Sequence, residues 1–278
     1  MGAGRDVRIM TLAITARAVP ETGTESPRRR PWWVDRVLAP VSAVIVGLVA
    51  WQLASVTSDG WVPSLGDLLA ATGSVFGSET LISDLAITLR RVLLVWAGSV
   101  VLGLAVGVAA GFSWQLRAFL RPVLAIALAV PDVVYIIIVI LILGTAESSG
   151  LIAVTLAIVP LVVNVTMASV MARDIRLDEM AAAYKFGPLA YGRHVLWWQL
   201  RPATEAATRT AFGFSWKLIV LLEAITSPDG IGARIMQEFK YLRPAEMIVY
   251  ALLFTSLMAA IEVLILNRVL RSPEPPSR

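Results

Sequence analysis

Long apolar runs alternate with short polar intervals along this chain, and each run has the length of a bilayer crossing rather than of a core helix. They lie at about 37–56, 86–112, 122–143, 151–171, 203–225 and 245–266. The pattern predicts an all-α, polytopic membrane protein with about six transmembrane helices. Residues 1–36 read as a cytoplasmic tail, 37–61 as the first transmembrane helix, 62–270 as the main body with a polar loop at 172–205, and 271–278 as a second tail. Within the first outer interval, the spacing of Val62, Leu65, Leu68 and Leu69 predicts a short helix on the membrane surface.

Charge orients these elements. Residues 57–83 carry Asp59, Asp67 and Glu79 but no Lys or Arg, whereas the interval around 173–201 carries Arg173, Arg176, Lys185, Arg193 and Arg201. Basic loops stay on the cytoplasmic side, so the 172–205 loop and both termini are expected inside. The interval 226–244, with Arg234, Lys240 and Arg243 offset in part by Asp229 and Glu238, breaks that bias.

Composition agrees with a lipid solvent: 57% of the 278 residues are hydrophobic, 16% are charged and the mean hydropathy is +0.75. There is no Cys and one His, His194, which removes disulfides, thiolate nucleophiles and Cys/His metal sites, so no metal is expected. The formal net charge of +4 reads as membrane orientation, with no nucleic-acid partner.

Several polar or small residues fall inside apolar runs. Gly103, Gly107 and Gly111 recur every four positions, a spacing that lets two helix backbones approach closely. Pro131 is expected to kink the third span, and Asp132 and Asn164 to face other helices or water. Arg90 and Arg91 are expected to snorkel or to pair with Asp84. In the fifth span Arg209, Trp216 and Glu223 recur every seven residues and share one stripe, with Lys217 beside it. That stripe, together with Arg91, Asp132 and Asn164, is a candidate translocation pathway or helix interface. Glu205 and Arg209, four apart, can pair.

Enzymatic chemistry finds little support. Ser215 and Lys217 lie on different helix faces, and His194 has no second His or Cys. Gly187 and Gly192 have phosphate-loop spacing, but Arg193-His194 follows them, so this chain is expected to bind no ATP or other cofactor itself.

The polar loop carries a further pattern. Glu179-Met180-Ala181, His194-Val195, Pro202, Arg209, Trp216-Lys217, Glu223 and Gly230-Ile231-Gly232 follow one another without gaps. Arg91, Gly103, Gly107, Gly111, Pro131, Gly144 and Pro160 precede them. Together they resemble the permease subunits of ABC importers, most closely the sulfonate/nitrate/taurine type, over about residues 62–270. Glu179 and Ala181 match the start of that family's EAA loop and Pro202 its end. Three residues depart from the pattern: Lys185 stands at the family's Gly, Trp198 at a usual Pro and Ile137 at a second Pro.

The resemblance implies a type I permease fold and a transport subunit that is not itself an enzyme. It implies two copies of a cytoplasmic ABC ATPase that bind ATP and Mg, an extracytoplasmic substrate-binding protein, and a second copy of this permease or a related one, all at the cell membrane. It also implies that a coupling helix at about 188–193 docks on the ATPase through Phe186, Leu189 and Tyr191, with Lys185, Gly187, Pro188 and His194 around it and Glu179 fixing the flanking helices. Gly187-Pro188 is expected to make the turn in place of the family Gly, and Gly187→Pro to uncouple it. The solute implied is small, anionic or sulfonate-like. A six-helix secondary transporter or channel working without ATP is the alternative.

Overall fold

In the computed structural model of the chain, residues 38–58 and 61–266 are described. The expected tails at 1–36 and 271–278 lie outside them. The chain divides into two units, Met1–Leu53 and Ala54–Arg278. Helix α1 (Ala39–Thr57) lies mostly in the first, is predominantly apolar and carries no acidic residue in its first turn.

The second unit is helical throughout, and among the described residues it has no strand. After α2 (Leu65–Phe76) come α3 (Leu81–Phe112), α4 (Trp114–Ala129), α5 (Asp132–Leu143) and α6 (Glu147–Met171). Then follow α7 (Ile175–Ala183), α8 (Pro188–Tyr191), α9 (Trp197–Thr226), α10 (Ile231–Lys240) and α11 (Pro244–Ile261). Among these residues α3, α6 and Pro244–Leu264 are single helices long and apolar enough to cross a membrane. Two bent pairs raise the number to five. The expected first crossing starts outside the described residues, and its described part, Val41–Thr57, is shorter than a full span.

The core is built on α3 and α6, whose interface is the most extensive in the molecule. Gly103, Gly107 and Gly111 of α3 face Val162, Thr166 and Val170 of α6, one residue per turn on each side. A Cβ added at the three glycines would meet those side chains at 2.5, 2.6 and 2.4 Å. Two right-handed helices can touch this closely only where one lacks side chains. Helix α9 lies across both, burying Ala211, Phe212 and Ile219 against Val92, Val95, Val154 and Ile158. Trp96 meets Phe212 edge to face at 5.8 Å and donates its indole N–H to the Thr208 carbonyl at 3.0 Å.

Two expectations about elements are corrected. The third span is two helices at 103°, not one kinked helix. Val130, preceding Pro131, is extended (φ −75°, ψ 129°), as the proline ring requires, and α4 cannot continue. The interval 226–244, which its position between two spans marks as an outer loop, instead holds the helix α10 (Ile231–Lys240). The surface helix does form, capped reciprocally by Ser64 and Asp67, but it buries Ala71 and Val75 and leaves Leu69 exposed.

Candidate functional site

Two polar constructions stand at the two ends of one helix. From Pro188 the backbone runs through α8, a wider π-type turn at Gly192–Leu196 and α9 without interruption to Thr226. The separate coupling helix expected at 188–193 is therefore the first part of a continuous rod. Trp198 keeps the backbone N–H that the usual proline would lack, and Pro202, four residues on, lies inside α9 without ending it. Tyr191 and Glu223 are about 48 Å apart along this rod, at 1.5 Å per residue.

At the far end, the start of α10 is held by side chains from α3 and α9. A helix begins with unpaired N–H groups that attract negative charge. Here Gly230 N–H donates to Asp84 Oδ1 at 3.1 Å, Ile231 N–H to Thr88 Oγ1 at 2.9 Å, and Gly232 N–H to Glu223 Oε2 at 3.0 Å. Thr88 in turn donates to the Glu223 carboxylate at 2.9 Å. Glycine is required by contact: a Cβ on Gly230 would sit 2.4 Å from Glu223 Oε1, and one on Gly232 would sit 2.2 Å from the Val220 carbonyl oxygen.

Arg91 closes the cluster. Its Nη1 donates to Glu223 Oε1 at 2.8 Å, its Nη2 to Asp229 Oδ1 at 2.7 Å and its Nε to Glu147 Oε1 at 2.9 Å. The expected pairing with Asp84 does not occur, because Asp84 takes Arg234 at 2.7 Å and Arg90 takes Glu147. Arg234 thus has an acidic partner that sequence distance concealed. Glu223 is fully buried and Arg91 and Asp84 nearly so, which in a low-dielectric interior is tolerable only with every lone pair and proton engaged. These groups are bound to each other and clamp α3, α9 and α10 together, while Arg91, Glu147 and Asp229 also border a small pocket.

The remaining pathway candidates are dispersed. Asp132 is half-buried in the first turn of α5, Asn164 is exposed on α6, and Arg209 and Trp216 are half-buried on α9. Lys217 is exposed, with its ammonium 5.5 Å from the Trp216 ring. Glu205 accepts from Arg201 Nε at 2.7 Å. Ser215 donates back to the Ala211 carbonyl of its own helix.

At the near end, α7 and α8 form a knob. Asp174 caps α7 by accepting from Arg176 N–H at 2.9 Å. The chain leaves α7 through Lys185, which takes the left-handed φ of 54°, while Phe186 N–H reaches back to the Ala181 carbonyl at 2.9 Å. The turn expected of Gly187 is thus made by Lys185 itself, at the position of the family's Gly. Gly187 is extended (φ −69°, ψ 162°), with a φ in the range that proline also takes. Pro188 then starts α8, where a missing N–H costs nothing.

Of the residues named for docking, Glu179, Lys185, Phe186, Pro188, Leu189, His194 and Pro202 are exposed, Leu189 at 87%. Ala181 is buried at 2% and anchors α7. Tyr191 is half-buried and faces back toward α7, donating its hydroxyl to Asp178 Oδ1 at 2.7 Å, so it is no outward anchor. Partial burial, with Asp178 beside it, pushes the Tyr191 phenol above its ordinary pKa and keeps it a donor. Asp178 also accepts from Arg173 Nε at 2.8 Å, while its neighbour Glu179 is exposed. The periodicity that could have revealed the clamp was present, since Asp84, Thr88 and Arg91 lie at i, i+4 and i+7 on one face of α3.

The family described as binding-protein-dependent transport system inner membrane component matches residues 99–272. The taurine transport system permease protein of Escherichia coli (strain K12) is 29% identical over 171 residues, covering 60% of this chain and 61% of that protein. The chain thus spans about three fifths of that relative's length. The putative aliphatic sulfonates transport permease protein of Bacillus subtilis (strain 168) is 28% identical over 236 residues, 82% of this chain and 84% of its own. The nitrate import permease protein of Synechocystis sp. is 26% identical over 234 residues, 80% of this chain and 84% of its own.

Proposed function

Because the chain belongs to the family of binding-protein-dependent transport system inner membrane components, we propose that it is the membrane-spanning subunit of an ATP-driven importer, receiving the stroke of a separate ATPase at 172–205. The observation that carries this reading is the rod from Pro188 to Thr226, tipped by a knob whose apolar Tyr184, Phe186 and Leu189 are exposed. Solvent-facing apolar side chains on a short, capped segment are the usual form of a protein docking site. A continuous helix carries a displacement at one end to the other with little loss, as transmission to the membrane helices requires.

In this reading ATP and Mg²⁺ bind two ATPase subunits, the permease pairs with a second copy or a related chain, and a binding protein delivers solute from outside. Both termini and the knob face the cytoplasm. Three relatives are named for taurine, aliphatic sulfonates and nitrate, which supports a small anionic or sulfonate-like solute. The Arg91–Glu223 clamp, being internally satisfied, serves to join helices and leaves solute selection to other residues.

Leu189→Asp tests the docking. The cognate ATPase subunit should co-purify with the wild-type chain and be lost with this variant, whose fold is spared because Leu189 touches no core residue. Full retention of the ATPase by Leu189→Asp would sink the assignment.

A further inference from the structure

The knob is tied to the rest of the protein by side chains that the docking surface does not use. Asp178 of α7 stands between two partners: its Oδ2 accepts from Arg173 Nε at 2.8 Å, and its Oδ1 accepts from the Tyr191 hydroxyl at 2.7 Å. Arg173 lies just past α6, donates Nη1 to the Val170 carbonyl at 2.8 Å and stacks its guanidinium 4.6 Å from the Phe112 ring at the end of α3. Tyr191 belongs to the rod. A second tie runs from Gln199 of α9, whose Oε1 accepts from Asp174 N–H at 2.7 Å. Through these groups α3, α6, α7 and the rod meet at one carboxylate.

We infer that Arg173, Asp178 and Tyr191 form a strut that makes the α7–α8 knob move as one piece with α6 and the rod. Asp178 is then a positioning residue for coupling, a role that rests on the docking reading above. The backbone alone does not supply this stiffness. Between Ala183 and Pro188 the chain has no regular helix, and its turn uses a left-handed lysine, so without side-chain ties a push on Leu189 would bend the link at 184–187. Bonds to an ionised carboxylate are the stronger kind, and two on one side chain fix its direction as well as its distance. Neither Asp178 nor Tyr191 is exposed, so both partners are already partly desolvated.

The chain has no cysteine, which allows single labels. The test uses the permease assembled with its ATPase in lipid vesicles and carrying Ser227→Cys at the α9–α10 corner. ATP should change the rate at which a membrane-impermeant maleimide labels that cysteine. Tyr191→Phe removes one hydroxyl and keeps the ring. It should retain the ATPase and its hydrolysis while cutting the ATP-dependent change in labelling by about fivefold, the scale of one hydrogen bond. Asp178→Asn, which still accepts from Tyr191 but no longer carries charge for Arg173, should reduce it less than Asp178→Ala. Tyr135→Phe, which removes a phenol hydroxyl on α5 outside the knob, should leave it unchanged. A Tyr191→Phe variant whose labelling responds to ATP as the wild type does would overturn the strut. A wild-type protein that retains no ATPase, or whose labelling ignores ATP, would overturn the docking reading and the strut with it.

Discussion

Glu223 has three kinds of partner: a guanidinium, a hydroxyl and a backbone N–H of the next helix. That mixture makes its replacement predictable. Removing one member of a buried ion pair strands the other, at about 3–5 kcal/mol, so Glu223→Ala should sharply lower the thermal midpoint of the detergent-purified protein. The charge swap Arg91→Glu with Glu223→Arg should not restore it, because a guanidinium cannot accept from Gly232 N–H or Thr88. Recovery of the wild-type midpoint by the swap would show that the pair, not the cap, carries the energy.

Lys185 makes the opposite case, a residue whose side chain matters less than its φ. A non-glycine residue in the left-handed region costs about 1–2 kcal/mol, and a β-branched one more. Lys185→Gly should slow, and Lys185→Val should speed, hydrogen exchange at the Phe186 amide, which bonds Ala181 across the turn. Equal exchange rates in both variants would remove the turn as a determinant of the knob.

Among elements, the α3–α6 contact is set by three glycines against Val162, Thr166 and Val170. Helix separation there is fixed by the absence of a Cβ, and overfilling such a site costs about 1–3 kcal/mol. Gly107→Val should reduce the yield of folded protein, and Thr166→Gly in the same chain should restore part of it by removing the Cβ and Cγ2 that it meets. No rescue would mean that Gly107 matters for a reason other than its neighbour. Thr166 also has a buried hydroxyl without a bonding partner. Thr166→Val alone should therefore be neutral or stabilising by up to about 1 kcal/mol in the same thermal assay.

In the whole molecule, rod, knob and clamp stand in series. One helix carries Leu189 near one end and Glu223 near the other, about 50 Å away along the axis. A cytoplasmic knob and an outer clamp predict opposite accessibility in intact cells. Leu189→Cys should resist an impermeant maleimide added outside, and Ser227→Cys should react. Reversed labelling would invert the topology.

Much of this arrangement was legible in the chain. The apolar runs gave the helical class, the glycine repeat marked the face that packs, and the 172–205 residues carried the family pattern. Periodicity fails where partners are distant in sequence: Asp84 has Arg90 and Arg91 within two turns but binds Arg234, 150 residues on. Local rules also misjudged the turn, since glycine's freedom pointed to Gly187 whereas the hydrogen bonds closing α7 place the left-handed residue at Lys185. At Pro131 the residue type announced a disturbance, but only packing of α5 on α6 set its size.

What the sequence determined alone is whatever follows from solvent and period: which segments belong in lipid, which faces are smooth, and which interval is basic. These are properties of neighbours three or four residues apart, and they survive without a partner helix. The tertiary structure decided which charges neutralise which, that Asp178 bonds both Arg173 and Tyr191, and that knob and clamp share one unbroken helix. Each of those depends on groups brought within hydrogen-bond range from distant parts of the chain, or on the absence of a break that only the folded backbone reveals.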